Sequence, residues 1–567
     1  MVLFRSAALA ALALTSAVPL AAKAPAPAPF DKGVVSAADP RAAEAGAEIL
    51  RQGGNATDAA LAVLLALTVV EPQSSGIGGG GFLVLDDGKG RLLTLDGREK
   101  APKAATPDWF KVEDKYLSVA EAIPGGKSVG VPGNVSMMAE AHRRHGRLKW
   151  RQIFQPAIRL AGDGFVVSER LNAFLERFSK TAALSEEGRA LYYPGGKPVA
   201  AGTVLRNPRL AAFLERLSRE GAKAFYSGQN AAAIVDAVNN APRNRSAMTL
   251  ADMASYRVKA RPPVCANYRK YRLCGMGPPS SGATTVFGAL GVLEKFDLPA
   301  MGKDSPTAWH LIVEAQRLAY ADRERYLADP DFVDVPVAGL LAPDYLAARA
   351  QLVATDRTMP SVAPGNPAGV KVAMADGPRQ TENGTSHFAV IDRNGMAASL
   401  TSTIESAFGS GLMVNGYFLN NELTDLSIVP EVNGKPVANR VESGKRPRSS
   451  MAPTIVYGPD GKVKLAVGAA GGVTIPAQVL KAIIAVIDWN LPVDQALGLP
   501  VIFAPGGNTV FVEGGTEHEQ LIPVLNGLGH PDVRLRERSF KANAVEVRGG
   551  KLVGAADPRS EGEAARQ

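Results

Sequence analysis

The stretch Asn383-Gly384-Thr385-Ser386-His387-Phe388-Ala389-Val390-Ile391-Asp392 joins a small polar cluster to an apolar strand pattern. A turn signal follows at 392–395, and a second strand is predicted over 396–403, so the stretch opens a β-hairpin. If the bond before Thr385 is cut, the new terminus carries its own base, an α-amine with an unperturbed pKa of about 7.7–8.0. A hydroxyl beside such an amine is an activated nucleophile. Gly384 has no side chain to shield its carbonyl from that hydroxyl, although a Gly-Thr pair before a strand is also common in ordinary loops.

The composition and charge of the chain limit the classes of protein to which it can belong. The chain has 567 residues, of which 46% are hydrophobic and 21% are charged, so it contains ample material for a large buried core. Length alone suggests more than one domain. The formal net charge is +8, but lysine and arginine are scattered and form no block interleaved with aromatic residues. We therefore expect a solvated basic surface and no nucleic-acid partner.

The N-terminus has the character of a secretory signal over residues 1–22. Arg5 gives a positive start, 7–20 is apolar, and small residues near position 22 offer cleavage sites. The apolar run is too short for a good membrane span, with an uncleaved anchor as the alternative. Residues 23–30 read as a Pro/Ala linker. The sequence thus predicts a periplasmic or secreted protein with no stable membrane span after signal removal.

Apolar periodicity predicts a mixed chain. The segment 136–345 looks mainly helical, and 352–383 is a Pro/Gly/Asp-rich stretch that we expect to be an exposed connector ending at the cut site. An N-cap signal lies at 55–58. Helices are predicted at 42–70, 309–327, 475–490 and 516–528, and strands at 82–85 and 92–95. Such a mixture implies sheets covered by helices.

Ordered motifs along nearly the whole chain after about residue 30 resemble the γ-glutamyltranspeptidase family. The motifs that resemble the start of its small subunit are Thr385-Ser386-His387, 403–411, 420–425, 446–454 and 468–472. Those that resemble its large subunit are 54–60, 71–72 with 75–82, and Arg98; 278–282 and the closing 556–559 fit as well. The motifs are specific for the family and less specific for the substrate.

The resemblance implies an α/β fold of layered α+β type, the αββα sandwich of Ntn-hydrolases. Two subunits would build this sandwich jointly, after a precursor cleaves itself between Gly384 and Thr385. The expected segments are a signal peptide at 1–22, a large subunit at 23–384 and a nucleophile-bearing small subunit at 385–567.

The same resemblance assigns catalytic roles. Thr385 would be the nucleophile, Thr403 would orient its hydroxyl, and the backbone N–H groups of Gly471 and Gly472 would hold the oxyanion. No cofactor is expected. Considered alone, the two glycines could equally form an ordinary tight turn.

Substrate-binding roles follow in the same way. Arg98 would clamp an α-carboxylate through its bidentate guanidinium, with Ser449 and Ser450 as further donors. Three acidic residues would hold an α-ammonium, because converging carboxylates require a cation among them; they are Glu405, Glu422 and Asp425. Many family members carry asparagine at position 405 and glutamine at 422, so this chain departs toward acid. The alternatives are that Arg98 is a surface charge, that the two serines form an ordinary turn, and that the three acids are a solvated cluster.

A second departure concerns the lid over the pocket. Residues 426–448 contain no Phe, Tyr or Trp, whereas some family members gate the pocket there with an aromatic residue. We expect a softer lid, which leaves the exclusion of water and the choice of acceptor open.

The glycine and histidine patterns give only weak support for two other functions, dinucleotide binding and metal binding. Gly76, Gly78 and Gly81 match G-x-G-x-x-G, but a helix is predicted before them and a strand after, the reverse of a dinucleotide site. His142 and His145 enclose two arginines that would repel a metal cation. The remaining histidines, which show no ligand spacing, are His310, His387, His518 and His530. No metal is therefore expected.

The two cysteines, Cys265 and Cys274, flank a predicted hairpin. An oxidising compartment would allow a cross-strand disulfide. Bonding also requires a register that the sequence does not give, so both the bonded and the free state stay open.

Taken with the resemblance, the sequence predicts a self-processing γ-glutamyltransferase and glutathione hydrolase. It would pass the γ-glutamyl group of glutathione to water or to an amino-acid or peptide amine. The first alternative is a glutaryl or cephalosporin acylase on the same scaffold. The second is a binding protein that never cleaves itself.

Overall fold

The computed structural model of the protein describes residues 29–371, 374–375, 384–537 and 540–567. The predicted signal at 1–22 and most of the linker lie outside them. The helices are α1 Pro40–Arg51, α2 Ala56–Val70, α3 Val119–Ala122, α4 Asn134–His145, α5 Trp150–Ile153, α6 Gln155–Gly162, α7 Glu169–Arg177, α8 Ser179–Ala182, α9 Glu186–Tyr192, α10 Pro208–Glu220, α11 Lys223–Tyr226, α12 Gly228–Asn239, α13 Leu250–Ser255, α14 Gly282–Leu293, α15 Leu298–Met301, α16 Pro306–Tyr326, α17 Val337–Leu340, α18 Pro343–Ala350, α19 Ile475–Ile487, α20 Val493–Gly498 and α21 Leu521–Gly527.

The strands follow the same chain order. They are β1 Val34–Ala37, β2 Gly80–Asp86, β3 Leu92–Asp96, β4 Lys111–Val112, β5 Lys115–Tyr116, β6 Phe165–Val166, β7 Val204–Leu205, β8 Lys259–Arg261, β9 Val264–Tyr268, β10 Tyr271–Gly275, β11 Gly384–Ile391, β12 Ala397–Glu405, β13 Met413–Val414, β14 Tyr417–Phe418, β15 Glu431–Val432, β16 Lys435–Pro436, β17 Thr454–Tyr457, β18 Val463–Ala470, β19 Ile502–Phe503, β20 Thr509–Glu513, β21 Asp532–Arg536, β22 Lys541–Arg548, β23 Lys551–Ala556 and β24 Glu563–Arg566.

Two antiparallel sheets form the centre of the molecule. The first has the order β24-β1-β11-β12-β2-β3-β8 and the second β23-β22-β18-β17-β10-β9. They pack face to face, because β11 contacts β18 and β22. Helices α1 and α2 cover the outer face of the first sheet, and α14 and α19 cover that of the second. The predicted αββα layering is confirmed.

The predicted hairpin is present as β11 and β12, which pair antiparallel. Asp392 shapes the turn, since its carboxylate accepts hydrogen bonds from the backbone N–H groups of Asn394 at 2.8 Å and Met396 at 3.1 Å. Every residue of both strands is buried, as expected for strands with a sheet on one face and helices on the other. The second strand runs two residues beyond the predicted end at 403.

The predicted helix over 42–70 is two helices. Gly53, with φ of +92°, ends α1, and Asn55 caps α2 in a capping box with Asp58, so the N-cap signal is confirmed. The glycine run that follows enters β2, as predicted. A side chain on Gly79 would lie 1.9 Å from the carbonyl oxygen of Thr403. The run therefore allows close backbone packing.

Other predicted helices are recovered with shifted ends. The segment 309–327 is α16, and 475–490 is α19. The segment 516–528 divides into a 3-10 turn, Glu517–Gln520, and α21. The predicted connector begins just after α18, and its described residues, 352–371 and 374–375, contain no helix or strand. No helix in the described ranges has the length and apolar character needed to cross a bilayer.

Cys265 on β9 and Cys274 on β10 are directly opposite each other and form a disulfide. The hairpin supplies the register that the sequence left open. Because β9 is the edge strand of the second sheet, the bond fastens an edge.

Replacing both cysteines with serine should destabilise the protein by about 2–3 kcal/mol, the loop-closure value for a ring of this size. Urea denaturation of wild type and the double variant would measure the difference. Wild type treated with reductant should match the variant. Equal midpoints in all three samples would contradict a stabilising bond.

Candidate active site

Two threonine hydroxyls converge on one carbonyl oxygen. The Thr385 hydroxyl donates a hydrogen bond to the Gly384 oxygen at 2.7 Å. Thr403, directly across the strand pair, donates to the same oxygen and has its Oγ 3.2 Å from that of Thr385. The Thr403 Oγ also accepts from the Glu405 N–H at 2.8 Å. The arrangement places a hydroxyl nucleophile beside the carbonyl predicted to be cut and a second hydroxyl where it can polarise that carbonyl.

A β-bulge creates this convergence. Gly384 pairs with Glu405 and Thr385 with Thr403, so Ile404 has no opposite residue. Glu405 has φ of +76°, a left-handed conformation that is strained for a residue with a side chain. A Cβ on Gly384 would lie 2.6 Å from the Glu405 carbonyl oxygen. Only glycine therefore fits before Thr385.

The two glycines predicted to hold an oxyanion follow β18, which faces β11. Gly471 has φ of +121° and Gly472 of +59°, which fits glycine and disfavours other residues. A 3-10 turn, Gly472–Thr474, then runs into α19. Backbone N–H groups at the start of a helix favour negative charge, so the segment could hold an oxyanion.

Arg98 lies just beyond β3 and is 1% exposed. Its guanidinium forms ion pairs with Glu422 and Asp425. It also donates to the carbonyl oxygens of Pro447 at 3.2 Å and Arg448 at 3.0 Å. The predicted carboxylate clamp and two members of the predicted ammonium site are therefore one cluster, and Arg98 is the cation among the carboxylates.

The third predicted acid, Glu405, belongs to the same cluster. Its carboxylate accepts hydrogen bonds from Ser406 and Asn421. Burial raises the pKa of Glu422 well above its usual value; Arg98 opposes that rise, and the negative charge of Glu405 adds to it. The charges of these residues are thus interdependent.

The two predicted serine donors are held by residues that precede Gly384 in the sequence. Ser449 donates its N–H to the Pro279 oxygen at 3.0 Å, and its own carbonyl accepts from the N–H of Ser281 at 2.7 Å. Its hydroxyl oxygen accepts from the Met451 N–H at 3.2 Å. The Ser450 Oγ accepts from Arg323 at 2.6 Å. The serines follow Arg448, whose carbonyl contacts Arg98, so the structure brings all the predicted binding residues into one region.

Comparison with known proteins gives the family. The γ-glutamyltranspeptidase profile matches residues 42–567. The chain belongs to the γ-glutamyltranspeptidase family. It is 38% identical over 512 residues to the glutathione hydrolase proenzyme of Bacillus subtilis (88% of this chain, 85% of that one) and 35% identical over 543 residues to that of Escherichia coli (93% and 90%). The structure of the cephalosporin acylase of Bacillus halodurans superposes with a TM-score of 0.83 at 26% identity, covering 98% of this chain and 99% of that one.

The cluster around Arg98 has one further member, Glu99, that the sequence did not predict. It is fully buried, and its Oε2 occupies the space over Gly80, where a Cβ would lie 2.3 Å away. Burial raises its pKa to about 8, against the pull of Arg98, and its carboxyl interacts with that of Glu422. Its adjacency to Arg98 was the only signal, because a glutamate in a polar turn usually faces water.

A buried ion pair behind β11 was also missed. Lys541 lies 3.0 Å from both carboxylate oxygens of Glu71, and the hydroxyl of Ser386 donates to that carboxylate at 2.6 Å. Burial lowers the pKa of Lys541, and Glu71 opposes the shift. The network fixes Ser386, the residue that follows the predicted nucleophile Thr385. Its members come from three distant segments, so no local pattern predicts it.

The segment 426–448, predicted to be a lid, contains the exposed hairpin β15–β16. Its base is tied to the site, because Asn439 donates from its amide to the Asp425 carbonyl at 2.6 Å and accepts from the Arg448 N–H at 3.0 Å. A soft lid remains a prediction, now with a fixed base.

Within the described ranges, one group of three side chains could ligate a metal: His310, Glu314 and His530. The His310 Nδ1 and His530 Nε2 are 3.0 Å apart, although sequence spacing gives no hint of it. Glu314 already accepts from Arg317 at 2.6 Å, from Thr358 and from a backbone N–H. The Arg317 cation disfavours a metal, so we assign the group a structural role.

His387 is two residues from Thr385 but does not fit a general base. It is fully buried, its Nδ1 lies 2.9 Å from the Thr401 Oγ, and burial lowers its pKa to about 3. It packs on Gly468, where a Cβ would lie 2.4 Å from the ring. His387 is therefore a packing residue.

Binding of an ammonium group should strengthen as pH rises through about 8, the pKa of Glu99. Below that pH the Glu99 carboxyl is protonated and attracts a cation weakly; above it the carboxylate attracts one fully. Inhibition constants for L-glutamate and glutarate from about pH 6 to 9 would test this, since only glutamate has an α-amino group that can bind as an ammonium.

Glutamate should bind more tightly with rising pH, and glutarate should not. Glu99→Gln should flatten the glutamate profile. Parallel profiles for the two compounds would contradict a role for the carboxyl cluster in cation binding.

Proposed function

We propose that the protein is a self-processing γ-glutamyltransferase and glutathione hydrolase. It would cleave the γ-glutamyl amide of glutathione and related compounds. The observation that carries the proposal is the pair of hydroxyls, Thr385 and Thr403, on the Gly384 carbonyl oxygen. The glutathione hydrolases among the relatives support the choice of substrate class.

Processing begins with attack of the Thr385 Oγ on the Gly384 carbonyl carbon. The hydroxyl proton passes to the Thr385 nitrogen as the amide bond breaks, which leaves an ester between Gly384 and the Thr385 Oγ. Thr403 stabilises the negative charge that develops on the carbonyl oxygen. Water then hydrolyses the ester and releases a large subunit that ends at Gly384 and a small subunit that begins with a free Thr385 amine.

Turnover uses the new terminus. The Thr385 α-amine accepts the hydroxyl proton as the Oγ attacks the γ-carbonyl of the substrate, while the N–H groups of Gly471 and Gly472 hold the oxyanion. The amine then protonates the leaving nitrogen, and a γ-glutamyl ester remains. Water resolves this ester to glutamate, or an amino-acid or peptide amine resolves it to a new γ-glutamyl amide, with the α-amine accepting the proton.

Recognition would proceed by exchange of ion pairs. A γ-glutamyl group carries an α-carboxylate and an α-ammonium. The carboxylate takes the place of Glu422 and Asp425 on Arg98, assisted by Ser449 and Ser450. The displaced acids and Glu405 then bind the ammonium. Because the incoming group is a zwitterion, the exchange leaves no buried charge unpaired.

The alternative is a glutaryl or cephalosporin acylase, which the likeness to the Bacillus halodurans enzyme keeps open. A glutaryl group has the carboxylate but no ammonium. It would occupy Arg98 and take that cation from Glu422, and unpaired buried charge is costly. The ion pairs of Arg98 therefore favour the γ-glutamyl substrate. A binding protein that never cleaves is the remaining alternative.

Location and assembly follow from the same proposal. The signal at 1–22 would direct the precursor to the periplasm or outside the cell. The mature enzyme would be a heterodimer of residues 23–384 and 385–567. Its acceptors would be small amines, with no macromolecular partner required.

Purified wild-type protein should give two bands in denaturing gel electrophoresis. The smaller band should hold the 183 residues after Gly384 and begin Thr-Ser-His-Phe. Thr385→Ala should stay one inactive chain, because the attacking hydroxyl is gone. Gly384→Ala should process more slowly, since its Cβ meets the Glu405 carbonyl. Full activity in an uncut preparation would refute the mechanism.

The ratio of kcat/KM for γ-glutamyl and glutaryl anilides should strongly favour the γ-glutamyl compound, by as much as about 10⁴-fold in a well-matched site. Glu422→Gln should reduce γ-glutamyl turnover far more than glutaryl turnover, because it removes a partner of the ammonium. Glu314→Gln is a matched control, because Glu314 is a buried glutamate outside the site. A wild-type preference for glutaryl would favour the acylase.

A further inference from the structure

The buried ion pair of Glu71 and Lys541 connects the two parts of the proposed catalytic centre. We infer that it is a positioning pair, which sets the distance between the Thr385 nucleophile and the glycine turn at 471–472. This inference rests on the proposed function. Glu71 directly follows α2 and is 1% exposed, and Lys541 opens β22 and is 3% exposed. Both carboxylate oxygens of Glu71 lie 3.0 Å from the Lys541 Nζ.

On the nucleophile side, the ion pair holds Ser386, which is covalently joined to Thr385. The Ser386 hydroxyl donates to the Glu71 carboxylate at 2.6 Å and lies 3.3 Å from the Lys541 Nζ. A hydrogen bond to a carboxylate is shorter and stronger than one to a neutral acceptor. Because Thr385 becomes a chain terminus after processing, Ser386 is then the residue that holds it covalently. The bond to Glu71 therefore limits how far the nucleophile can move.

On the oxyanion side, Lys541 lies directly opposite Ala470 in the ladder of β18 and β22. The Lys541 N–H donates to the side-chain oxygen of Gln478 at 3.2 Å. The Gln478 amide donates in turn to the Ala470 carbonyl at 2.8 Å and to the Thr474 Oγ at 3.1 Å. The Thr474 hydroxyl donates to the Gly471 carbonyl at 2.8 Å. Lys541 and Gln478 therefore hold the residues on both sides of the glycine turn.

The two parts that this network joins belong to different sheets. Thr385 lies on β11 of the first sheet, whereas the glycine turn follows β18 of the second. Apolar contacts between packed sheets are not directional, but attack on a carbonyl requires reacting atoms about 3–3.5 Å apart and donors aimed at the developing oxyanion. Charged hydrogen bonds add the missing geometric specificity. The ion pair is therefore suited to fix the spacing across the two sheets.

A purely structural role predicts a different response. Removing one partner of a buried ion pair leaves the other charge unpaired and destabilises a protein, whereas replacing both partners with apolar residues is often neutral. If the pair only stabilises the fold, the double variant Glu71→Leu/Lys541→Met should recover stability and rate together. If it positions the nucleophile, the double variant should recover stability but stay slow, because leucine and methionine offer the Ser386 hydroxyl no carboxylate.

The test measures single-turnover release of p-nitroaniline from γ-glutamyl and glutaryl p-nitroanilides by processed enzyme. Both single variants and the double variant should react about 100-fold more slowly than wild type with either compound, the scale of a misplaced reacting group. The inhibition constant of L-glutamate should not change, because the Arg98 cluster is untouched. Urea denaturation should show the single variants destabilised and the double variant close to wild type. A double variant that is stable but uncut also supports the inference, because processing uses the same hydroxyl.

Ser386→Ala supplies a second test, because it removes the hydroxyl that joins the nucleophile strand to the ion pair and leaves both charges in place. It should fold normally and still show most of the loss in rate. Lys481→Met is the matched control. Lys481 is also a lysine with 3% exposure, but it donates to the carbonyls of Leu497 and Leu499. Its loss should destabilise the protein and leave the reaction rate of the folded enzyme unchanged.

Three outcomes would overturn the inference and leave the proposed function standing. They are a double variant that regains the wild-type rate with its stability, a wild-type rate in Ser386→Ala, and failure of Ser386→Ala to fold. Should the double variant fail to fold, Ser386→Ala decides in the same way. A wild-type preference for the glutaryl compound would refute the γ-glutamyl function alone, since the glutaryl rate still tests the pair. An uncut and inactive wild type would refute both.

Discussion

One irregularity in the pairing of two central strands underlies the chemistry of this protein. The bulge opposite Gly384 and Thr385 bends the ladder so that a carbonyl that regular pairing would give to a backbone N–H meets two hydroxyls instead. It requires a strained Glu405 and a glycine at 384. Strain of this kind persists only where the surrounding structure enforces it, and here both strands are fully buried between a second sheet and a helical layer.

The binding cluster has a different constraint, which is charge balance without water. Arg98 holds two carboxylates, and Glu99 and Glu405 lie close by. Burial disfavours every one of these charges taken singly. The cluster is therefore suited to a ligand that brings one charge of each sign, and poorly suited to a simple anion.

The sequence predicted the features that depend on local pattern. An apolar strand pattern after a small polar cluster marked β11, and Asn55 marked the start of α2. Family motifs pointed to Arg98 and Glu422, which the fold brings together from opposite sides of the proposed cut. The sequence could not predict the features that depend on contacts between distant residues. These are the pairing of Cys265 with Cys274, the ion pairs of Arg98 with the predicted ammonium ligands, and the positions of Glu99 and Arg323. A helix such as α16 buries charged residues at many positions, so its polarity gave no sign of which guanidinium would reach the serines.

The strand order of the first sheet has a consequence for the lifetime of the mature enzyme. Across this sheet, β24 follows the proposed cut in the sequence, β1 precedes it, β11 (apart from its first residue, Gly384) and β12 follow it, and β2 precedes it again. The two halves are interleaved, so they cannot separate without tearing the sheet apart. Before the cut, refolding is an intramolecular event; afterwards it requires two chains to meet. Persistence of the processed molecule would then be governed by its unfolding rate rather than by an equilibrium, and each molecule would fold once, as a precursor.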